Sequence, residues 1–389
     1  MRIGIIGAGH AGVSAAREVT EAGASATLFS AEEVLPYFRP RIVALAFGLV
    51  EEEKLYMHPS EWYENRGIEL QLSTPVLSVS PSELKVRTTD NRDHYFDELI
   101  LACGAEPNVL PWTRELGSGA CPMWTLQHAR QLKPNLQQAD AVTIVGGSLT
   151  GVEAALYAAE QEKTTTIVEK AEHLMPFFLG EKAASVLQSR LRRQNINLET
   201  GQTITEAEPR ENRFQFRTDT DKLFPTDTII TAVGGKPQLS PYKDTTLNIE
   251  KGICVEDTLS SSVPGVFACG DVAQCHGRTL ANVSTATTQG RIAGRNAIAY
   301  IENDSLQSVP STITQMSLKY GDFQLHVAGQ KPDADTEEKL LSSEDEHTHR
   351  GVVLNQNHEL TGIQMVGTGK DFQKLTKCLG MRWEEIDLS

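Results

Sequence analysis

The sequence predicts an α/β protein of two doubly wound, three-layer units with parallel sheets, followed by a smaller α+β domain. Three observations lead to this prediction. An apolar strand pattern enters a glycine-rich loop and then an alanine-rich helix pattern, and this arrangement occurs twice, at residues 3–16 and from residue 142 onward. A second apolar strand follows each helix, which indicates the crossover of a parallel sheet. Beyond about Ser308 the pattern becomes polar and irregular.

The first glycine-rich loop has the spacing G-x-G-x-x-G at Gly7, Gly9 and Gly12. Such a loop turns tightly, lets a pyrophosphate approach without a Cβ in the way, and directs backbone amides at phosphate from a helix N-terminus. An ordinary turn is the alternative interpretation. Because the loop lies between a strand and a helix pattern, and Ala16 can pack on the next helical turn, we predict dinucleotide binding.

Acidic residues follow the second strand of each unit, Glu32 in the first and Glu169 in the second. A carboxylate at this position usually accepts hydrogen bonds from ribose hydroxyls and repels a 2′-phosphate. The alternative is a surface carboxylate. Since Glu169 directly ends its strand, we predict that NADH is preferred to NADPH.

The second glycine-rich loop departs from the pattern. Gly146, Gly147 and Gly151 are present, but Ser148 stands where the second glycine is expected. A hydroxymethyl group there crowds the pyrophosphate, so we expect nucleotide binding to be shifted or weakened, or the unit to be purely structural. Glu153 follows in the first helical turn, where carboxylates are also common because they suit the helix dipole.

Further strands are predicted downstream of each loop. Buried strands closed by glycine and proline lie within residues 97–107 and 227–237. Alternating segments at 69–72 and 213–217 suit antiparallel strands with one solvated face. In the tail, we expect a solvated acidic loop from Asp333 to Glu346, a strand at 351–354 and a helix at 371–379.

Composition excludes several classes of protein. The chain has 389 residues, 40% of them hydrophobic and 22% charged, which suits two or three globular domains and excludes global disorder. Its net charge of −15 repels phosphate backbones and anionic lipid, so we expect no nucleic-acid or membrane-surface binding. No apolar run reaches the 18 or so residues that a membrane span needs.

The N-terminus and the cysteines indicate a cytoplasmic protein. Met1 leads directly into the first glycine-rich loop, so we expect no export signal. The cysteines contain no C-x-x-C pair and no metal-ligand spacing, so we predict free or buried thiols and no metal site. The six are Cys103, Cys121, Cys254, Cys269, Cys275 and Cys378.

In combination, these motifs resemble the FAD-dependent pyridine nucleotide-disulphide oxidoreductase superfamily over roughly residues 1–305. The motifs arrive in the superfamily's order: 7–12, Glu32 with 35–40, 102–104, 146–153, 232–234 and 265–271. The resemblance implies two Rossmann-like domains, the first for FAD at 1–112 and 252–308 and the second for NAD(P)H at 113–251. A C-terminal domain follows at 309–389.

The resemblance also implies the binding residues. The FAD site would comprise Gly7, Gly9, His10, Ala11, Gly12, Glu32, Arg39, Val76, Ala102, Cys103, Gly104, Gly270, Asp271 and Gln289. The NAD site would comprise Gly146, Gly147, Ser148, Gly151, Glu169 and Gly234.

Within the superfamily, the run from Pro36 to Pro40 resembles the branch of rubredoxin, ferredoxin and nitrite reductase flavoproteins. No cysteine lies between Glu32 and Arg66, so a redox dithiol is not expected. Ferredoxin reductases carry a lysine where this chain has Ala44, which favours the rubredoxin-reductase-like side of the branch. Glu153 and Arg39, or Arg41 in its place, are the implied catalytic residues.

The predicted activity is hydride transfer from NADH to FAD, followed by electron transfer to a small carrier protein such as rubredoxin. Alternatives are an NADH oxidase, a nitrite-reductase-associated electron donor, or a flavin-bound redox-sensing interaction module. The sequence leaves open a monomer or a homodimer.

Overall fold

The computed structural model describes residues 1–210, 213–279, 281–310, 315–341 and 347–388. The chain forms two compact units. The first contains Met1–Phe38, Glu52–Glu106 and Gly235–Thr312, and the second contains Arg39–Glu51, Pro107–Gly234 and Ile313–Ser389. The three-domain division predicted from the sequence stays a prediction.

The helices and strands of the described ranges alternate along most of the chain. The helices are α1 (His10–Glu21), α2 (Ile42–Ala46), α3 (Ser60–Glu64), α4 (Leu126–Gln138), α5 (Leu149–Glu160), α6 (Glu181–Arg193), α7 (Val283–Glu302) and α8 (Phe372–Lys377). The strands are β1 (Arg2–Ile6), β2 (Ser25–Phe29), β3 (Ile68–Gln71), β4 (Val76–Ser80), β5 (Lys85–Thr88), β6 (Asp93–Tyr95), β7 (Glu98–Leu101), β8 (Ala105–Pro107), β9 (Ala120–Pro122), β10 (Ala141–Val145), β11 (Thr164–Glu169), β12 (Ile196–Thr200), β13 (Ile204–Arg210), β14 (Arg213–Thr218), β15 (Leu223–Thr226), β16 (Thr228–Thr231), β17 (Gly235–Pro237), β18 (Ile253–Val255), β19 (Val266–Ala268), β20 (Ala273–Cys275), β21 (Gln315–Tyr320), β22 (Phe323–Gly329), β23 (Glu337–Leu340), β24 (His349–Leu354) and β25 (Leu360–Val366).

The first unit is built on a parallel sheet of order β19-β7-β1-β2-β3. Its central strands read as unbroken apolar runs because helices cover the sheet, and Ile3, Ile5 and Ile100 are fully buried. Helix α1 connects β1 to β2 and packs along α7. The two helices approach closely because Gly290 of α7 lies against the backbone of α1. A Cβ on Gly290 would lie 2.1 Å from the carbonyl oxygen of Ala11.

The second unit contains a parallel sheet of order β12-β11-β10-β16-β9 and an antiparallel sheet of β13, β14 and β15. Its C-terminal part is an antiparallel sheet of order β21-β22-β25-β24-β23, against which α8 packs. Two doubly wound parallel sheets and a smaller α+β part confirm the predicted fold class. None of the helices in the described ranges is long and apolar enough to cross a bilayer.

Two predictions from the sequence are wrong in part. Residues 69–72 were expected in an antiparallel strand, but β3 pairs in parallel with β2 at the edge of the first sheet. The acidic stretch 333–346 was expected to be a loop, but it contains the edge strand β23, while 342–346 lie outside the described residues. The antiparallel strand at 213–217, the strand at 351–354 and the terminal helix are confirmed.

Candidate nucleotide-binding sites

Two of the glycines in the first loop are required by the protein's own packing. Gly7 has a φ of +109°, and a Cβ there would lie 2.2 Å from the carbonyl oxygen of Ala102. A Cβ on Gly12 would lie 1.8 Å from the carbonyl oxygen of Gly7. Any larger residue at either position would displace the loop from the ends of β1 and β7.

Gly9 differs from these two because the protein does not require a glycine there. Its φ is −81°, which any residue adopts, and among the described residues no atom lies within 4 Å of a Cβ added there. Gly9 is also the N-cap of α1 and provides no side-chain acceptor for the first amides of the helix. A helix N-terminus that no side chain caps and no Cβ obstructs fits a pyrophosphate. The residues of this loop therefore fit a dinucleotide.

The residues after β19 pack on the beginning of α1. Gly270 has a φ of +72°, and its N–H donates to Oε1 of the buried Gln289, at 2.8 Å. A Cβ on Gly270 would lie 3.0 Å from that of Ala11. The first unit therefore brings Ala11, Gly270, Asp271 and Gln289 to the same end of α1.

The thiol of Cys103, at the end of β7, is locked in a hydrogen-bonded pair. It donates to the carbonyl oxygen of Gln238 at 3.2 Å and accepts from the Tyr242 hydroxyl at 3.3 Å. Burial raises the pKa of Cys103 to about 12. This cysteine is therefore neutral at physiological pH and unsuited to nucleophilic chemistry. Gly104 follows with a φ of +73°.

Glu32 is held by a partner that the sequence did not indicate. The hydroxyl of the buried Tyr37 donates to Glu32 Oε2 at 2.8 Å, which fixes the carboxylate beyond β2. His10 packs edge-on against Phe38, with ring centroids 5.6 Å apart. Val76 begins β4, in the antiparallel sheet of β4, β5 and β6, and packs on an apolar cluster of the first unit. Its predicted contact with FAD stays a prediction.

The second loop repeats the backbone geometry of the first. Gly146 has a φ of +107°, and a Cβ there would lie 2.5 Å from the carbonyl oxygen of Ala232. A Cβ on Gly151 would lie 2.1 Å from the carbonyl oxygen of Gly146. The two loops thus use their outer glycines for the same packing purpose.

Ser148 occupies the position of Gly9 and changes the end of the helix. Its hydroxyl accepts from the Gly151 N–H at 3.4 Å and donates to the carbonyl oxygen of Ala232 at 3.0 Å. Ser148 is the N-cap of α5. The side chain thus satisfies an amide that the corresponding residue of the first loop leaves uncapped.

Glu169 lies against the second loop. Its carboxylate accepts from the Gly147 N–H at 2.5 Å and from the Ala171 N–H at 2.8 Å. Gly234, with a φ of +76°, accepts through its carbonyl oxygen from the Asn108 N–H at 3.0 Å. The carboxylate thus lies at the second loop, and its predicted contact with ribose stays a prediction.

Glu153 has a neutral partner one helical turn away. The Tyr157 hydroxyl donates to Glu153 Oε1 at 2.8 Å, and burial raises the pKa of Glu153 to about 7. Tyr157 is held by edge contacts with Phe47 and Tyr320, at 5.9 and 4.8 Å between ring centroids. Tyr157 was not predicted from the sequence, although its spacing of four residues from Glu153 on a helix was a usable signal.

Arg39 lies in the second unit, where its Nη1 donates to the carbonyl oxygen of Trp124 at 2.7 Å. Ala44 lies in α2 of the same unit, and α2 packs against α5. The catalytic roles of Arg39 and Glu153 stay predictions.

Comparison with known proteins identifies the family. The sequence pattern of the family described as pyridine nucleotide-disulphide oxidoreductase matches residues 1–290. The chain belongs to this family. It is therefore a flavoprotein oxidoreductase that uses FAD and a pyridine nucleotide.

Two relatives within the family are reductases of a small electron carrier. The chain is 27% identical to an NADH-rubredoxin oxidoreductase of Clostridium acetobutylicum over 81% of this chain and 79% of the relative. It is 27% identical to a rubredoxin-NAD(+) reductase of Ectopseudomonas oleovorans over 70% of this chain and 72% of the relative. The fold is also that of putidaredoxin reductase in its covalent complex with putidaredoxin, with a TM-score of 0.88, 19% identity and coverage of 99% and 95% of the two chains.

Despite the family's name, the cysteines of this chain form no disulphide. All six are free thiols. Burial raises the pKa of both Cys103 and Cys269 to about 12 and that of Cys121 to about 11. These thiols resist the deprotonation that thiol–disulphide exchange requires.

Proposed function

We propose that this protein reduces a small electron-carrier protein of the rubredoxin type at the expense of NADH. The observation that carries the proposal is the pair of glycine loops with one backbone geometry, one open and one capped by its own serine. One loop suits a group that stays bound and the other a coenzyme that exchanges. FAD, when bound, supplies a centre that takes up two electrons as a hydride and releases them singly.

The first unit would hold FAD. Gly9 leaves the helix N-terminus open to the pyrophosphate, and Glu32, oriented by Tyr37, would accept from ribose hydroxyls. The Gly270 N–H donates to Oε1 of Gln289, and this contact would position Asp271 for the ribityl chain.

The second unit would hold NADH. Glu169 already lies on the loop, and its carboxylate would repel the 2′-phosphate of NADPH. The Tyr157 hydroxyl holds Oε1 of Glu153, whose pKa of about 7 lets it carry or release a proton at physiological pH. We therefore propose Glu153 as the group of this unit that exchanges protons during turnover.

The carrier is proposed from the relatives that reduce rubredoxin and from the state of the thiols. Since the cysteines form no disulphide, electrons would leave the flavin directly for the partner. The free thiols and the use of NADH also favour a cytoplasmic location.

The experiment that tests the flavin site uses Gly9→Leu. The backbone of Gly9 accepts any residue and a Cβ meets no protein atom, so the variant should fold but lose its yellow FAD. Far-UV circular dichroism and the flavin-to-protein absorbance ratio measure the two effects. A folded Gly9→Leu protein with one FAD per chain would refute the assignment of this loop.

The experiment that tests the acceptor mixes NADH-reduced protein with rubredoxin in a stopped-flow instrument. We expect carrier reduction to be faster than reoxidation by oxygen and to survive alkylation of the accessible thiols. Faster production of hydrogen peroxide would favour an NADH oxidase, and loss of carrier reduction after alkylation would overturn direct transfer.

The coenzyme preference is tested by comparing kcat/KM for NADH and NADPH. Equal values for the two coenzymes would show that Glu169 does not contact the ribose.

A further inference from the structure

The first unit contains a cluster of three potential metal ligands that plays no part in the proposed function. Asp257, Cys275 and His276 each present one ligand atom, and these atoms lie within 4.8 Å of one another. Nε2 of His276 is 3.1 Å from Oδ1 of Asp257. No sequence pattern indicated this cluster, because Asp257 lies far from Cys275 and His276 along the chain.

Strand pairing brings the three residues to one end of a small sheet. Strands β18 and β20 are parallel and end at Val255 and Cys275, which lie opposite each other. Asp257 and His276 therefore both follow the carboxyl ends of these strands. Residues that leave parallel strands at the same end lie close together. The proximity of Asp257 to the other two residues thus follows from the register of two strands.

A tight turn fixes the thiol and the imidazole side by side. Cys275 and Arg278 exchange two backbone hydrogen bonds of 3.0 Å. Between them, His276 and Gly277 have φ values of +49° and +71°, the conformation of a two-residue hairpin turn. The turn is formed by the protein alone, so a cation would find these ligands largely preorganised.

The cluster combines an anchored ligand with two that reach solvent. Cys275 is buried and packs in the core of the first unit, whereas the side chains of Asp257 and His276 are 57% and 62% exposed. A cation can enter from solvent, and the exposed side chains can close around it. Zinc–ligand distances of about 2.0–2.3 Å place tetrahedral donor atoms roughly 3.3–3.8 Å apart, so only small side-chain movements are needed.

The charges around the thiol favour a cation. The carboxylates of Asp257 and Glu256 act electrostatically on the Cys275 thiol, and their negative field attracts a divalent ion. A thiolate, an imidazole and a carboxylate are the ligands of zinc, whereas magnesium and calcium prefer oxygen donors throughout.

We propose that Asp257, Cys275 and His276 form a binding site for one zinc ion, with water as the fourth ligand. None of the three residues belongs to either glycine loop, and the occupancy of the site does not depend on the proposed carrier. Binding forms a bond from zinc to each of the three side chains and releases the thiol proton to solvent.

The test uses the flavin-loaded, full-length protein after removal of metals by a chelator. Titration with zinc against a chromophoric chelator should show one ion per chain, and X-ray absorption at the zinc edge should show one sulfur ligand. Millimolar magnesium should not compete. Cys275→Ser and His276→Asn should each weaken binding about tenfold or more, and asparagine tolerates the left-handed φ of position 276.

Cys254→Ser is the matched control, because Cys254 lies on the neighbouring strand β18, opposite Gln274 and outside the cluster. It should bind zinc as the wild type does. Since Cys275 is buried, flavin content and melting temperature check that its variant is folded, and His276→Asn provides a second, exposed position. Unchanged affinity in both cluster variants, an equal loss in Cys254→Ser, or zinc bound by oxygen and nitrogen alone would each overturn the proposal.

Discussion

At the scale of single residues, Gly9 and Ser148 show how one side chain alters a shared backbone. Both residues are N-caps at the same position of equivalent loops. Gly9 leaves the first helical amides open, whereas the Ser148 hydroxyl bonds the Gly151 N–H and the carbonyl oxygen of Ala232. If the second loop binds the coenzyme as proposed, its phosphate would compete with the Ser148 hydroxyl for the Gly151 N–H.

Replacing this serine tests that competition. Ser148→Gly should lower the KM for NADH severalfold, because it frees the Gly151 N–H and removes the Cβ, while the lost cap costs only a few tenths of a kcal/mol in stability. Steady-state kinetics with NADH as the varied substrate measures the effect. Ser148→Ala is the control. It removes the hydroxyl that caps the helix but keeps the Cβ, so it distinguishes the effect of the cap from the steric effect of the Cβ. An unchanged KM in Ser148→Gly would show that the loop has already adapted to serine.

Glu98 in the first unit predicts a dependence of stability on pH. It is buried at the start of β7, and its Oε2 has no hydrogen-bond partner among the described residues. Burial, and secondarily the charge of Asp97, raise the pKa of Glu98 to about 7. The unfolded chain releases this proton near pH 4.5, so the free energy of unfolding should fall as pH rises from about 4.5 to 7.

The substitution Glu98→Gln should abolish this fall in the free energy of unfolding, because glutamine does not ionise. Below about pH 4 the variant and the wild type should unfold alike, and at pH 8 the variant should be more stable by roughly 3 kcal/mol. Urea unfolding at several pH values measures the difference. Glu64→Gln, at an exposed position on α3, is the control and should change little at any pH. A constant difference between Glu98→Gln and the wild type would contradict the raised pKa.

At the scale of elements, the sequence predicted the two strand–loop–helix units well, because their glycine spacing and apolar runs are local signals. It failed at sheet edges. β3 alternates like an antiparallel strand because an edge strand has one solvated face in either direction. The charges of β23 suggested a loop, yet charged residues are what protects an exposed edge strand. The partners Tyr37 and Tyr157 were missed because hydroxyl contacts depend on rotamers and burial.

The close packing of α1 on α7 predicts the effect of a methyl group. Gly290→Ala would place a Cβ 2.1 Å from the Ala11 carbonyl oxygen, which forces the helices apart. We expect a loss of about 1–3 kcal/mol in the stability of the apoprotein and weaker FAD retention, since α1 carries the first loop. Gly9→Ala adds the same methyl group where no atom lies within 4 Å and should unfold like the wild type. Equal urea midpoints for the two variants would contradict this account of the interface.

At the scale of the whole molecule, charge constrains the encounter with a partner. The chain carries a net charge of −15. If the carrier is also acidic, the overall fields oppose association, and a local basic patch must offset them. Arg39 and Arg41 flank one proline in the sequence and are the pair we expect to supply such a patch.

Arg41→Glu tests the patch, because Arg41 is exposed. At low salt the variant should reduce the carrier severalfold more slowly, since like charges meet, while flavin reduction by NADH stays nearly unchanged. Stopped-flow traces of the two half-reactions at low and high ionic strength separate these effects. If the Arg41→Glu variant reduces the carrier at the wild-type rate at low salt, Arg41 does not contribute to docking.

The serine cap of the second loop also has a consequence for how long each ligand stays. A prosthetic group has to remain through many cycles, whereas a spent coenzyme has to depart in each one. If NADH binds at this loop as proposed, a cap worth a few tenths of a kcal/mol more than glycine, which re-forms whenever the phosphate leaves, would shorten the dwell time of the oxidised coenzyme up to about twofold. Ser148 would thus lower the affinity for the coenzyme and speed its release, and an enzyme limited by product release would turn over faster with serine than with glycine.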